Sequence, residues 1–419
     1  MKICVIGGGA SGLCAAIAAA EAGAEVTVIE HGPRVGKKLL STGNGKCNLS
    51  NVDQVLSHYH GDGQFIKSIF EEVSYGDVIA FLTRLGIFTR NKNGYLYPFS
   101  EQASAVVDVF RFALRRLCVK VLTDEEIDSV YVSEAKEGEN VFTLHSTSAE
   151  QCFDRVILAT GSKAAPATGS DGSGYRLAKA FGHTVRKPLP ALVPLKSDTL
   201  YCKELKGLRF SSEAVLYIDG EIKARQEGEL QFTDYGLSGI PIFQLSYIAS
   251  QALNVKRPPA IRIAVDLMPF MSVSELTGYL LVRREADPKK EGAEFLIGLL
   301  PKSLAILLIR LCGIRSSDPV SEVSSEKLEE LAGRIKCLDF NITTTAGFEK
   351  AQTCTGGIIT SELDERLCSK LVKGLYFSGE MIDVNGDCGG YNLTWAFATG
   401  ILAGRSAASE ITNTYRIPE

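Results

Sequence analysis

Three groups of residues in this chain have types and spacings suited to chemistry. The first is Gly7-Gly8-Gly9-Ala10-Ser11-Gly12, followed by an acid at Glu30. Gly7, Gly9 and Gly12 fill a G-x-G-x-x-G pattern directly after the apolar run Ile3-Cys4-Val5-Ile6. The first such glycine allows a tight turn, the second lets a pyrophosphate approach the backbone, and the third lets a helix pack on the preceding strand. Glu30 can accept hydrogen bonds from ribose hydroxyls and would repel a 2′-phosphate. The second group is the loop from Gly36-Lys37-Lys38 to Gly43-Asn44-Gly45-Lys46-Cys47-Asn48, where backbone N–H groups and cations could follow an anion. The third is Gly379-Glu380 through Asp383 to Gly389-Gly390-Tyr391-Asn392-Leu393, a glycine loop that feeds a helix start. A helix start favours a developing negative charge, such as that of a reduced flavin ring.

The elements that position these groups follow from periodicity. Lys2 to Glu30 reads as strand, glycine turn, alanine-rich helix and second strand, with Gly23 ending the helix. The glycines inside the apolar run and the valine strand argue against reading this stretch as a secretory signal. Gly63–Leu85 has helical apolar spacing, Asn91–Tyr97 is a hairpin around Asn93-Gly94, and Ser104–Leu117 is a further helix. Val119–Leu122, Ile127–Val132 and Val141–Leu144 read as strands. A strand from Asp154 ends in Ala159-Thr160-Gly161, small residues that permit close passage beside a nucleotide. From Pro188 to about Leu267 the pattern is mostly short strands, including a hairpin at Asp219-Gly220. Met271–Ile335 turns helical behind a Ser272/Glu275 capping box, and Leu338–Ile342 returns to strand. Dinucleotide-type signals resume beyond Phe348, and no second G-x-G-x-x-G follows a strand downstream.

Composition bounds the function. At 419 residues the chain suggests two or three domains, and 45% hydrophobic with 22% charged residues is ordinary for a globular protein. No apolar run approaches the roughly 20 residues of a membrane span. A net charge of −4 gives no general attraction to nucleic acid. Eleven scattered cysteines without a C-x-x-C suit a reducing, cytoplasmic setting. Nothing suggests a metal site, a catalytic triad or a disulfide-reductase pair.

Two distant segments returning to one glycine-rich βαβ unit match an FAD architecture better than a simple NAD dehydrogenase. The chain resembles the aminoacetone oxidase / BaiN-like family of FAD-dependent flavoproteins, of the two-dinucleotide-binding-domain type, over nearly its whole length. The resemblance rests on the three groups above together with Ala159-Thr160-Gly161, Pro190-Ala191-Leu192-Val193-Pro194-Leu195 and Gly236-Leu237-Ser238-Gly239. The chain departs from the family at Ile240, before Pro241, and at Thr353-Cys354-Thr355-Gly356-Gly357, both at expected substrate-side junctions.

The resemblance implies an α/β fold: a Rossmann-like FAD-binding domain (residues 1–189 and 345–419), with an inserted β-rich, barrel-like substrate domain (190–267 and 336–344) and a small helical domain (268–335). It implies that Gly7, Gly9, Ala10, Ser11 and Gly12 hold the pyrophosphate and Glu30 the adenosine ribose. Lys38, Gly43, Gly45, Lys46, Cys47 and Asn48 would line the phosphate and flavin, and the backbone at Ile127 would meet adenine. Ala159, Thr160, Gly161, Gly379, Glu380 and Asp383 would flank the ribityl chain, with Gly390, Tyr391, Asn392 and Leu393 at the flavin ring. Cys47 and Tyr391 are the candidate catalytic proton donors.

Family members are linked to reduction of activated carbon–carbon double bonds in steroid-like substrates, to amine oxidation by oxygen, and to reduction of uridine in ribosomal RNA. The expectation here is a small-molecule reductase of an activated carbon–carbon double bond, fed transiently by NADH or NADPH, with an amine oxidase using oxygen or a flavin-dependent rRNA uridine reductase as the alternatives. An RNA partner would need a basic surface, for which Arg283, Arg284, Lys289 and Lys290 are candidates. Their acidic neighbours Glu285, Asp287 and Glu291 favour a solvated face instead.

Overall fold

The computed structural model describes residues 1–134 and 140–409. The chain forms two compact units, one of Met1–Leu189 with Gln352–Glu419 and the other of Pro190–Ala351.

The first unit is built on a parallel sheet in the order Leu375–Phe377, Arg155–Leu158, β1 (Lys2–Ile6), β2 (Glu25–Ile29), Lys120–Leu122. Ile3 stands opposite both Arg155 and Val26, and Val156 stands opposite Leu375. The inner strands are near-continuous apolar runs because both faces of the sheet are covered, by α1 and the helix Tyr391–Ala408 and by strands of an antiparallel sheet. β1 is buried from Ile3 to Ile6, and Arg155–Leu158 throughout. α1 (Ala10–Glu21) crosses from β1 to β2, and Gly23, at φ +92°, turns the chain after it.

The helix Tyr391–Ala408 lies on α1. A Cβ at Gly400 would stand 2.3 Å from the Ser11 carbonyl oxygen, and one at Gly404 2.3 Å from that of Ala15. The two helices therefore meet backbone to backbone, which only glycine permits. A separate antiparallel sheet comprises Ile127–Glu134, Asn140–Ser146 and Glu150–Phe153.

The helical spacing over 63–85 resolves into two helices, Gly63–Glu72 and Tyr75–Leu85. They divide at Ser74, whose hydroxyl accepts from the Asp77 N–H while Asp77 accepts from the Ser74 N–H, a reciprocal cap that starts a new helix.

The second unit contains a closed six-stranded barrel. Its strands follow the order Leu195–Ser197, Gly236–Gly239, Glu221–Thr233, Arg209–Ile218, Ile261–Asp266, Leu338–Thr345, and the last pairs back onto the first. The Asp219-Gly220 turn joins strands longer than the short ones expected. Glu221–Thr233 runs unbroken through Gly228 as one strand of 13 residues.

The expectation of mostly strand from 188 to 267 fails at Ile240–Leu253, which is a helix with Pro241 in its first turn. Its apolar residues are distributed around it without a clear stripe, so tertiary burial of Ile242, Leu245 and Ala249 decides its structure. Helices Val273–Ala286, Lys302–Leu311 and Ser325–Lys336 share one apolar core with the barrel, and the Ser272/Glu275 capping box is formed. Among the described residues, no helix is long and apolar enough to cross a membrane.

The helix contact yields a test by denaturant unfolding. Gly404→Ala should destabilise the protein by about 1–3 kcal/mol through overpacking. Gly333→Ala, inside Ser325–Lys336 with nothing within 4 Å of the added methyl, should be neutral or stabilising by up to about 1 kcal/mol.

Candidate dinucleotide and active site

At the adenosine end, β1 delivers the chain into Gly7, whose φ of +107° and close approach to the Ala159 carbonyl exclude a side chain; a Cβ would lie 2.5 Å from that oxygen. Gly12 is equally constrained, since its Cβ would lie 1.9 Å from the Gly7 carbonyl oxygen. Gly9 differs, with nothing within 4 Å of the side a Cβ would occupy. It is the N-cap of α1, and neither a side-chain cap nor an acid in the first turn satisfies the leading N–H groups. An uncapped helix start beside open space fits a phosphate.

Glu30 is held as an acceptor by two backbone donors, Gly8 N–H to Oε2 and Gly32 N–H to Oε1, both at 2.8 Å. Its remaining lone pairs suit ribose hydroxyls. The Glu125 N–H donates to the Glu30 carbonyl, so the segment leading to Ile127 runs beside this acid. The Ile127 carbonyl itself accepts from Arg176 at 3.3 Å.

The middle of the path is polar and cross-linked. Lys38 Nζ lies 2.7 Å from Glu380 Oε2, which also accepts from Ser162 Oγ at 3.0 Å. Lys46 pairs instead with Glu101 at 3.3 Å, near the surface. Gly379 is tied to the helix Tyr391–Ala408 twice: its N–H donates to Thr399 Oγ1 at 2.9 Å and its carbonyl accepts from Trp395 Nε1 at 3.3 Å. Ala159 is buried, Thr160 Oγ1 approaches Met381 Sδ at 3.9 Å, and Gly161 takes φ +75°. Asp383 accepts from the Gly356 N–H at 3.0 Å and pairs with Arg186. Burial still holds its carboxyl above the usual range, although Arg186 and the Gly356 N–H oppose the shift.

At the far end, Gly43, Asn44, Gly45 and Cys47 all have positive φ, so the loop curls tightly. Cys47 is fully buried, and burial outweighs a nearby Thr42 hydroxyl to push its thiol up to about 11. Asn48 Oδ1 is buried with no hydrogen-bond partner among the described residues. Gly390, at φ +102°, caps the helix Tyr391–Ala408 with no side-chain hydrogen bond and packs against the Ser50 backbone. Asn392 braces the preceding loop: its Oδ1 accepts from the Gly386 N–H and its Nδ2 donates to the Gly386 carbonyl, both at 2.8 Å. Leu393 is half-buried beside it. Tyr391 is buried and stacks on His58, with ring centroids 4.4 Å apart.

Lys38, Ser162, Glu380, Gly379 and the helix Tyr391–Ala408 are thus linked by hydrogen bonds, whereas Lys46 turns to Glu101. The structure also reveals His58, His60 and Asp387, which sequence reasoning passed over. The available signal was that His58-x-His60 supplies two of only five histidines in the chain.

The open Gly9 start, the held Glu30 carboxylate, the unpartnered Asn48 oxygen and the uncapped Gly390 start fit the two ends of FAD. Glu30→Ala would leave the Gly8 and Gly32 N–H groups unpaired and remove the ribose acceptor. FAD binding, followed by flavin fluorescence, should weaken about tenfold to a hundredfold, corresponding to roughly 1.5–3 kcal/mol.

Comparison with known proteins identifies the family. The HI0933-like protein Rossmann domain matches residues 1–406. The chain is 40% identical over 411 residues to a 3-dehydro-bile acid delta(4,6)-reductase of Clostridium scindens, covering 97% of this chain and 99% of that protein. It is 29% identical to a ribosomal RNA dihydrouridine synthase of Haemophilus influenzae, covering 97% and 98% respectively. Among solved structures, a flavocytochrome c3 fumarate reductase shares the fold at TM-score 0.50 and 14% identity, covering 97% of this chain and 78% of that one. A 3-ketosteroid delta1-dehydrogenase of Sterolibacterium denitrificans does so at TM-score 0.50 and 12% identity, covering 97% and 99%. The chain belongs to the HI0933-like Rossmann family and is an FAD-dependent oxidoreductase.

Proposed function

We propose that this protein reduces a carbon–carbon double bond conjugated to a carbonyl in a flat, steroid-like small molecule, with NADH or NADPH as electron donor. The carrying observation is the 40% identity to a bile acid reductase over 97% of the chain. When bound, FAD carries the hydride. The protein supplies the rest.

The uncapped helix start at Gly390 offers unpaired N–H groups and a partial positive charge, which would stabilise the negative charge that accumulates during reduction. Tyr391 keeps its proton at neutral pH: burial raises its phenol above the ordinary value, with Asp53 and Asp387 adding to the shift. It is therefore a proton donor rather than a base. Cys47 also keeps its proton but is fully buried, so in this reading it packs the flavin loop and Tyr391 serves as the acid. Residues 190–267 and 336–344 serve as the substrate domain, with 268–335 as its helical companion. All eleven cysteines are free, as suits a reducing cytoplasm.

The 29% identity to an rRNA dihydrouridine synthase supports a second reading, because uracil also presents a double bond conjugated to a carbonyl. Two of the basic candidates for RNA contact have internal work. Arg283 donates to the Phe295 and Ile297 carbonyls at 2.6 and 2.7 Å, and Arg284 to the Val323 carbonyl at 2.8 Å. They brace the helical region, which favours the small-molecule reading.

Anaerobic mixing of the yellow protein with NADH or NADPH tests the proposal. We expect the oxidised flavin absorbance to bleach and then return on addition of testosterone or cyclohexenone, with ribosomal RNA ineffective. Return with RNA alone would select the second reading. No bleaching by either nicotinamide, with reduction by aminoacetone instead, would identify an amine oxidase.

A further inference from the structure

A group of ionisable side chains outside the dinucleotide motifs meets beside Tyr391. The two-residue strand Asn385–Gly386 pairs antiparallel with Tyr59–His60, placing Asn385 opposite His60, and the Asp387 N–H donates to the His58 carbonyl at 2.8 Å. This pairing sets the Asp387 carboxylate between two imidazoles. Oδ2 lies 2.9 Å from His58 Nδ1, and Oδ1 lies 2.8 Å from His60 Nε2. Asp53 Oδ2 stands 3.3 Å from His58 Nε2. The His58 ring lies on the Tyr391 ring with their planes 22° apart. His58 keeps 28% of its side chain exposed, whereas Tyr391 is only 4% exposed, so the imidazole exchanges protons with water more readily than the phenol.

We infer that His58, clamped by Asp387, is a positioning residue for Tyr391: it fixes the phenol ring by stacking and presents a positive charge to the phenolate left when Tyr391 gives up its proton. The inference rests on the reading of Tyr391 as the acid of an alkene reductase. The reaction consumes one hydride and one proton. The hydride, originating in the nicotinamide donor, forms the new C–H bond at the β carbon as the π pair shifts to the α carbon. The Tyr391 O–H bond breaks as the α C–H bond forms, leaving a phenolate that water reprotonates. An imidazolium against that ring lowers the cost of the transient anion.

The charges around His58 support its cationic form. Burial disfavours the charge, but the hydrogen bonds to Asp387 and Asp53 outweigh it and hold His58 above its ordinary value. Burial would raise Asp387, yet its bonds to His60 and His58 outweigh this and hold it below the usual carboxylate range. Asp53 and Asp387 themselves push the Tyr391 phenol up, so the His58 charge acts against theirs; Tyr95, Cys388 and Tyr59, the other ionisable groups near the ring, stay protonated at neutral pH. Because the folded value of His58 is raised, its charge persists to higher pH than that of an ordinary histidine and is lost as pH rises through the raised midpoint.

The test pairs histidine NMR of the FAD-loaded protein with stopped-flow reoxidation of the reduced protein by testosterone or cyclohexenone across pH. His58 should titrate above its ordinary value, and the reoxidation rate should fall through the same midpoint. His58→Gln should slow reoxidation tenfold or more and flatten that limb, whereas His145→Gln, whose own side chain is partly exposed on the strand Asn140–Ser146, should leave both unchanged. Asp387→Asn should lower the His58 midpoint and move the limb with it. A His58 midpoint at or below its ordinary value overturns the inference. So does a His58→Gln protein with wild-type rate and pH profile. Reduced wild-type protein that neither enone reoxidises overturns the reductase reading first, before any variant is compared.

Discussion

The first unit depends on one close approach: the helix Tyr391–Ala408 lying on α1 with no side chain between the backbones at Gly400 and Gly404. This contact joins segments from opposite ends of the chain and sets their helix starts beside one path. The glycine turn at Gly7–Gly12 opens α1, and Gly390 opens the other helix. Gly379 is fastened between them, because a Cβ there would strike Ser11 Oγ at 2.4 Å while its peptide groups bond Thr399 and Trp395. A side chain at any of these crossings would separate the two halves of the candidate cofactor site.

Charge along the path follows from that arrangement. Two helix starts without side-chain caps leave N–H groups for an anion at each end, one suited to pyrophosphate and the other to the electron-rich edge of a reduced ring. The cations and acids between them are largely paired, as in Lys38 with Glu380 and Arg186 with Asp383. Those pairs fix loops in place, and the free capacity for a ligand lies mainly in backbone donors, in the Glu30 carboxylate and in Asn48.

Features carried by short stretches were legible in the sequence. The strand–glycine–helix start, Gly23, the Asp219-Gly220 hairpin and the Ser272/Glu275 cap are each determined by residues a few positions apart. Features that depend on tertiary burial or distant pairing were not. Ile240–Leu253 lacks a one-sided apolar stripe, so only its packing in the barrel unit makes it a helix. The break at Ser74 turns on a reciprocal cap that the apolar spacing of 63–85 conceals. His58 and Asp387 are 329 positions apart, and Lys38 and Glu380 are 342 apart; no local pattern announces either pair.

The central claim is that FAD lies along the path from Glu30 to Tyr391. A crystal structure of the protein saturated with FAD tests it most directly. The account predicts ribose hydroxyls on the Glu30 carboxylate, pyrophosphate over the Gly9 start of α1, and the flavin ring edge within hydrogen-bonding distance of Asn48 and the Gly390 helix start. A flavin ring bound away from Asn48 and Gly390, or an adenosine that does not touch Glu30, would contradict it.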